Sequence, residues 1–194
     1  MDIRRLSESF TRPLNAASGP ILTTSARLIF AGVLLVYFWQ AGLTKLGEGA
    51  FGFLNPAMGA YIQIFPRAVE AAGFDISQLG LWHDMVVIAG TWAEFVLPLL
   101  VVLGLLTRLS ALGMMGFIIV QSATDLYGHG GLENGTFGAW FDRASDALIA
   151  DQRAFWLLAL AILVLKGGGP LSLDRVILAR ARTGAPTAPR VAAE

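Results

Sequence analysis

The sequence predicts an all-α fold: a bundle of four transmembrane helices, with an interfacial amphipathic helix in its first outer loop. Three observations carry this. Of the 194 residues, 55% are hydrophobic and only 14% charged, against roughly 25% charged in soluble domains. Mean hydropathy is +0.63. The apolar residues also gather into runs close to the ~20 residues a helix needs to cross about 30 Å of hydrocarbon. The length fits one domain.

Residues 1–25 are polar, with Arg4, Arg5, Arg12, Pro13 and Pro20. They hold no apolar stretch of the signal-peptide kind and read as a cytoplasmic arm, partly amphipathic. The first span is 26–46. In the outer loop that follows, 47–83, Leu54, Met58, Tyr61, Ile62 and Phe65 recur at helical spacing after Pro56, the pattern of a helix lying in the interface. The second span is 84–106 and the third 109–126. Only Thr107 and Arg108 separate them, so they form a tight antiparallel hairpin.

The second outer loop, 127–146, opens on Tyr127-Gly128-His129-Gly130-Gly131 and continues with Phe137, Trp140 and Phe141. Two readings stand. Glycine backbone beside a histidine can approach a ligand closely, or the glycines stop a helix and the aromatic residues anchor the loop at the interface. The fourth span is 147–165. Its apolar run, Ala154–Leu165, is too short alone, and the longer choice puts Asp151 and Arg153 near the outer interface, where charged side chains can snorkel. Beyond it, Ser172 or Asp174 can cap a short surface helix, Asp174–Ala181. These segments form a membrane domain, 26–180. The tail, 181–194, is small and proline-containing and reads as disordered.

Charge sets the orientation. Of the 14 Lys and Arg, only Lys45, Arg67, Arg143 and Arg153 fall on the side of the long loops. By the positive-inside rule both termini are cytoplasmic and the loops face outward. A net charge of zero leaves no basic excess for nucleic acid. The absence of cysteine excludes disulfides, zinc–thiolate sites, iron–sulfur clusters and dithiol relays.

An ionisable residue inside a span costs about 2.5–3.5 kcal/mol on insertion scales and marks a functional candidate. Glu94 lies about 15 Å into the second span. Gln40 and Tyr37 of the first span and Gln121 of the third fall in the same outer half, with Lys45 near the outer end of the first span. Trp39 and Trp92 can wall this region. Together they outline a pocket in which Glu94 is the acid, Gln40 and Gln121 are hydrogen-bond partners and Lys45 is a counter-ion. Such a pocket suits a quinone head group, with Glu94 exchanging the proton that accompanies electron transfer. In the competing reading Glu94 pairs with Lys45 and only fastens two helices together. Arg27 and Arg108, at cytoplasmic helix ends, read as head-group anchors. His83 and His129 both fall on the outer side, and with Asp84, Met85 or Asp125 they can surround a copper ion or haem.

The joint order of these motifs resembles the DoxX family of small bacterial membrane proteins. The first span has Arg27, Gly32, Phe38, Gly42 and Lys45-Leu46; the second has Glu94, Pro98, Gly104 and Thr107-Arg108; Gly168, Ser172, Leu173 and Asp174 follow the fourth. The resemblance covers about Ala26 to Arg175, and the long acidic outer loops depart from it. It implies a bacterial inner-membrane protein that serves redox enzymes, stress-response complexes or copper-handling clusters, and it supplies no catalytic constellation. The expected function is an integral membrane subunit of a quinone-linked redox system, in contact with lipid and a redox or metal-handling partner protein. The alternatives are a handler of copper or a metal-binding peptide on the outer face, and an assembly factor without a ligand. Gly32, Gly42, Ala89, Gly90, Gly113 and Gly116 let helices approach closely, within the bundle or in a homo-oligomer.

Overall fold

In lipid every backbone N–H and C=O must find its partner within the protein, and a helix satisfies them within one segment. The apolar runs accordingly fold as helices. A computed structural model describes residues 3–183, with side chains described for 11–181. Among the described residues there is no β-strand beyond a single bridge between Phe137 and Ile149.

The first helix, α1 (Ile3–Phe30), passes through a π turn at Ala31–Leu35 into α2 (Val36–Leu43). The polar arm is therefore helical from Ile3 and continuous with the first span. The π turn has a packing consequence. Ala26, Phe30, Leu34 and Phe38, all buried, recur every fourth residue, and in a plain α-helix such residues drift by about 40° per step. The extra residue of a π turn returns them to one face.

The first long loop folds as α3 (Met58–Ile64) and α4 (Pro66–Ala71), followed by a 3-10 turn at Ile76–Gln78. Two short helices form because Phe65 precedes Pro66 and is driven out of the helical region, to φ −127° and ψ 55°. Ala60, Tyr61 and Val69 pack on Val87 in a small second core.

The hairpin is α5 (Leu81–Leu103) and α6 (Thr107–Ala123). Gly104 caps α5 in the left-handed conformation at φ 67°, as expected of glycine just past a helix end. Then α6 ends in a second π turn, Thr124–Gly128.

The next helix, α7 (Gln152–Lys166), starts five residues later than the sequence suggests. Residues 147–151 form a turn instead, because the Asp151 carboxylate accepts from the Ala147 amide at 3.1 Å and Ala150 takes φ 74°. At 15 residues, α7 is about 22 Å long. Three helical stretches, Thr11–Leu43, Leu81–Leu103 and Thr107–Gly128, are long and apolar enough to cross a membrane, which makes this a multi-pass membrane protein. α7 packs on α6 and α1 beside them. The last helix is α8 (Leu173–Thr183); the expected tail lies outside the described residues from 184 onward.

The main core joins Phe30, Leu34 and Phe38 to Val101 of α5, Met114 and Ile118 of α6, and Leu160 and Leu163 of α7. Phe38 meets the rings of Phe117 and Trp156 edge-on at 6.0 and 6.3 Å, the arrangement that aromatic quadrupoles favour.

Arg27 and Asp174, far apart in sequence, both act where α5 turns into α6. Arg27 is turned inward: it donates to the carbonyls of Val101, Val102 and Gly168. The head-group reading of Arg27 is corrected by these bonds, which tie the last carbonyls of α5 to that of Gly168 beyond α7. Asp174 does not cap its own helix. Its carboxylate accepts from the amides of Leu106 and Thr107 at 2.7 and 2.8 Å and from the Thr107 hydroxyl at 2.7 Å, so it caps α6. Ser172 takes the local role, accepting from the Arg175 amide at 3.3 Å. Burial alone would raise the Asp174 carboxyl, but the Thr107 hydroxyl, the two amides and the nearby Arg27 outweigh it and hold it below the usual carboxylate range.

Candidate functional site

The second helix pair does not close completely. Ala89, Gly90 and Ala93 of α5 face Gly113 and Gly116 of α6 across a groove of about 460 Å³. The space exists because these residues lack side-chain bulk. A Cβ placed on Gly116 would meet nothing within 4 Å. Ala89, Gly113, Gly116 and Val120 along the rim are exposed, and on a bilayer-crossing helix pair exposure means contact with lipid. Leu97 and Phe117 line the groove as well, so its walls are mostly apolar.

At its buried end stands an ion pair. Lys45 is 5% exposed and Glu94 3%. The Lys45 ammonium donates to both carboxylate oxygens of Glu94 at 2.9 Å and to the Ala41 carbonyl at 3.1 Å. Lys45 reaches this depth because it lies just past the end of α2, where the chain leaves the helix. Pro98 sits four residues after Glu94 within α5. Proline has no N–H to bond the carbonyl at i−4, so the helix is opened directly below the acid. In this opened turn the Trp39 indole donates to the Phe95 carbonyl at 3.1 Å.

The other end of the groove is polar. Gln121, Thr124, Asp125 and His129 line it, with Gln63 from α3. The π turn at Thr124–Gly128 supports this end, and such turns recur at functional sites. Asp125 is paired with Arg153 of α7 at 2.6 Å, and Arg153 also donates to the Ser122 hydroxyl at 2.8 Å. His129 Nε2 donates to the Gln63 carbonyl at 3.0 Å. A smaller cavity of about 240 Å³ adjoins here, bordered by Tyr37, Gln121, Asp125, His129 and Arg153.

The structure thus brings Lys45, Glu94 and Gln121 to one groove, with Tyr37 at its edge, where its hydroxyl accepts from Gln121 Nε2 at 3.5 Å. It does not bring the remaining pocket residues there. Gln40 is exposed, two residues from buried Phe38 and so about 200° around the helix from it. Trp39 is 37% exposed and Trp92 41%; Trp92 donates to the Phe53 carbonyl at 3.2 Å and rests edge-on against the Phe53 ring at 5.6 Å.

The residues considered for a metal are divided among different partners. His83 lies against Phe65, ring centroids 4.8 Å apart. Asp84 accepts from the Tyr61 hydroxyl at 2.7 Å. Burial, reinforced by that bond and by the Asp84 charge, raises the Tyr61 phenol to about 12. Met85 is half exposed, and Asp125 is held by Arg153. Among the described residues no three His, Cys, Asp or Glu side chains converge as a metal site. The glycines flanking His129 serve chain packing: a Cβ on Gly128 would lie 2.8 Å from Pro66, and one on Gly131 2.7 Å from the Asp125 carbonyl.

The Arg153–Asp125 pair was not legible in the sequence. The partners are 28 residues apart, in different helical segments, and Arg153 looks like a snorkelling end residue. A cation directly before the apolar run Ala154–Leu165 was the only signal.

A family model described as DoxX matches residues 23–124, which contain the groove from Lys45 to Thr124. No curated protein and no solved structure matches the chain.

Proposed function

Given that the chain belongs to the DoxX family, we propose that it is the membrane subunit of a quinone-linked redox system and that the α5–α6 groove receives the quinone ring. One observation carries the reading: a lipid-facing, apolar groove of about 460 Å³ ends on a buried Lys45–Glu94 pair. That volume lies within the roughly 300–1,000 Å³ of small-molecule sites, which combine apolar walls with a few placed polar groups. A molecule dissolved in the bilayer reaches the groove sideways. Glu94 then stands where a ring oxygen gains or loses its proton. With no cysteine for an iron–sulfur cluster or dithiol, electrons pass to or from a partner protein.

In this proposal residues 26–180 form the membrane domain, α7 with the preceding turn is the fourth span, and α3 lies in the outer interface. The distribution of Lys and Arg supports cytoplasmic termini in a bacterial inner membrane. The copper reading draws less support, since His83 and His129 have separate partners.

The test is a lipid extract of protein purified in mild detergent, wild type against Gly116→Leu. The substitution fills the groove from a position with free space and removes a helix-interior glycine, so the fold should persist. Quinone near one per chain in the wild type, lost in Gly116→Leu, is the expected result. No quinone in the wild type contradicts the reading and leaves a ligand-free assembly factor as the better account.

A further inference from the structure

Hydrogen-bonding capacity at the buried end of the groove is one-sided. The Lys45 ammonium has three donors, and all three are engaged, two by Glu94 and one by the Ala41 carbonyl. An ionised carboxylate accepts at about four lone-pair sites; Glu94 receives two bonds, both from Lys45. The groove residues around it, Ala93, Leu97, Gly113 and Phe117, offer no side-chain donor. The unused capacity here is therefore for accepting. Further out, the Gln121 side-chain carbonyl is a buried acceptor without a partner, while its amide faces the Tyr37 hydroxyl.

A ring whose buried edge carries a carbonyl would set one acceptor against another. A ring whose buried edge carries a hydroxyl would donate to Glu94. We propose that the groove selects the reduced, hydroxyl-bearing form of its ligand, a quinol, over the quinone, and that Glu94 is the residue that discriminates. This rests on the reading of the groove as a quinone site. Selection follows from the asymmetry of buried polar groups: a site built to receive a hydrogen bond rejects the analogue that lacks the donor.

The experiment is equilibrium binding to the full chain in lipid nanodiscs under anaerobic conditions. The probes are a decyl-chain benzoquinol, the corresponding quinone, and the quinol with both hydroxyls methylated. The absence of cysteine means that the reductant breaks no disulfide. Wild-type protein is expected to bind the quinol at least about tenfold more tightly than either other probe, the least that one charge-assisted hydrogen bond provides. In Glu94→Gln, whose amide both donates and accepts, quinol affinity should fall towards that of the quinone. Should that variant fail to fold, the methylated probe on wild type still decides. Equal binding of quinol and quinone, or preference for the quinone or the ether, overturns the selection while leaving the groove as a quinone site. Binding of none of the three overturns both.

Discussion

Removing Lys45 alone should destabilise the protein more than removing Lys45 and Glu94 together. Both residues are at least 95% buried, and each Glu94 oxygen lies 2.9 Å from the ammonium. Lys45→Met leaves a carboxylate without its counter-ion between α5 and α6. Glu94→Met leaves an ammonium with one carbonyl partner. Breaking a buried pair from one side costs about 3–5 kcal/mol, whereas exchanging the whole pair for apolar residues of similar volume is often neutral. The single variants should therefore melt on the order of 10 °C below wild type, at the ~2–4 °C per kcal/mol typical of this chain length. The double variant should recover most of that loss. Thermal unfolding in detergent, followed by tryptophan fluorescence, closes the double-mutant cycle. Single effects that simply add in the double variant, or singles that melt with wild type, would refute the claim that the two charges hold each other in the groove.

Other perturbations test the frame around the groove. Asp174→Asn keeps the shape of the α6 cap but removes its charge. Because the folded carboxyl is held below its ordinary value of 3.8, its stabilisation is full above about pH 4 and is lost as pH falls through the lower folded value; acid unfolding of the variant, measured by circular dichroism, should lack that component. Arg27→Lys cannot span the carbonyls of Val101, Val102 and Gly168 with one ammonium and should lower stability by about 2 kcal/mol, read as a melting shift of several degrees. Of the three tyrosines, Tyr61 should ionise only near pH 12, and Tyr61→Phe should remove that step from the ultraviolet titration.

Helix type and the α5–α6 hairpin are legible in the sequence because they follow from run length and a two-residue connection. The groove is partly legible. Glu94 announces itself by its cost in lipid, and Lys45, near the outer end of the first span, stands out as its candidate counter-ion. What is not legible depends on the azimuth of a helix. Gln40 and Gln121 share a depth, yet Gln40 faces outward, because depth follows from counting residues while the face depends on packing and on the π turn upstream at Ala31–Leu35. The groove's width comes from Ala89, Gly90, Gly113 and Gly116, whose small size reads equally well as tight helix contact. Asp174 reads as a local cap because its partners, Leu106 and Thr107, lie 68 and 67 residues away.

The central claim, that a quinone ring lies between α5 and α6, is tested most directly by photolabelling with an azido-quinone in native membranes, followed by peptide mapping. The account predicts label on 89–97 of α5 and 113–121 of α6, displaced by excess unlabelled quinol. Label confined to other segments, or label that excess quinol does not displace, would contradict it.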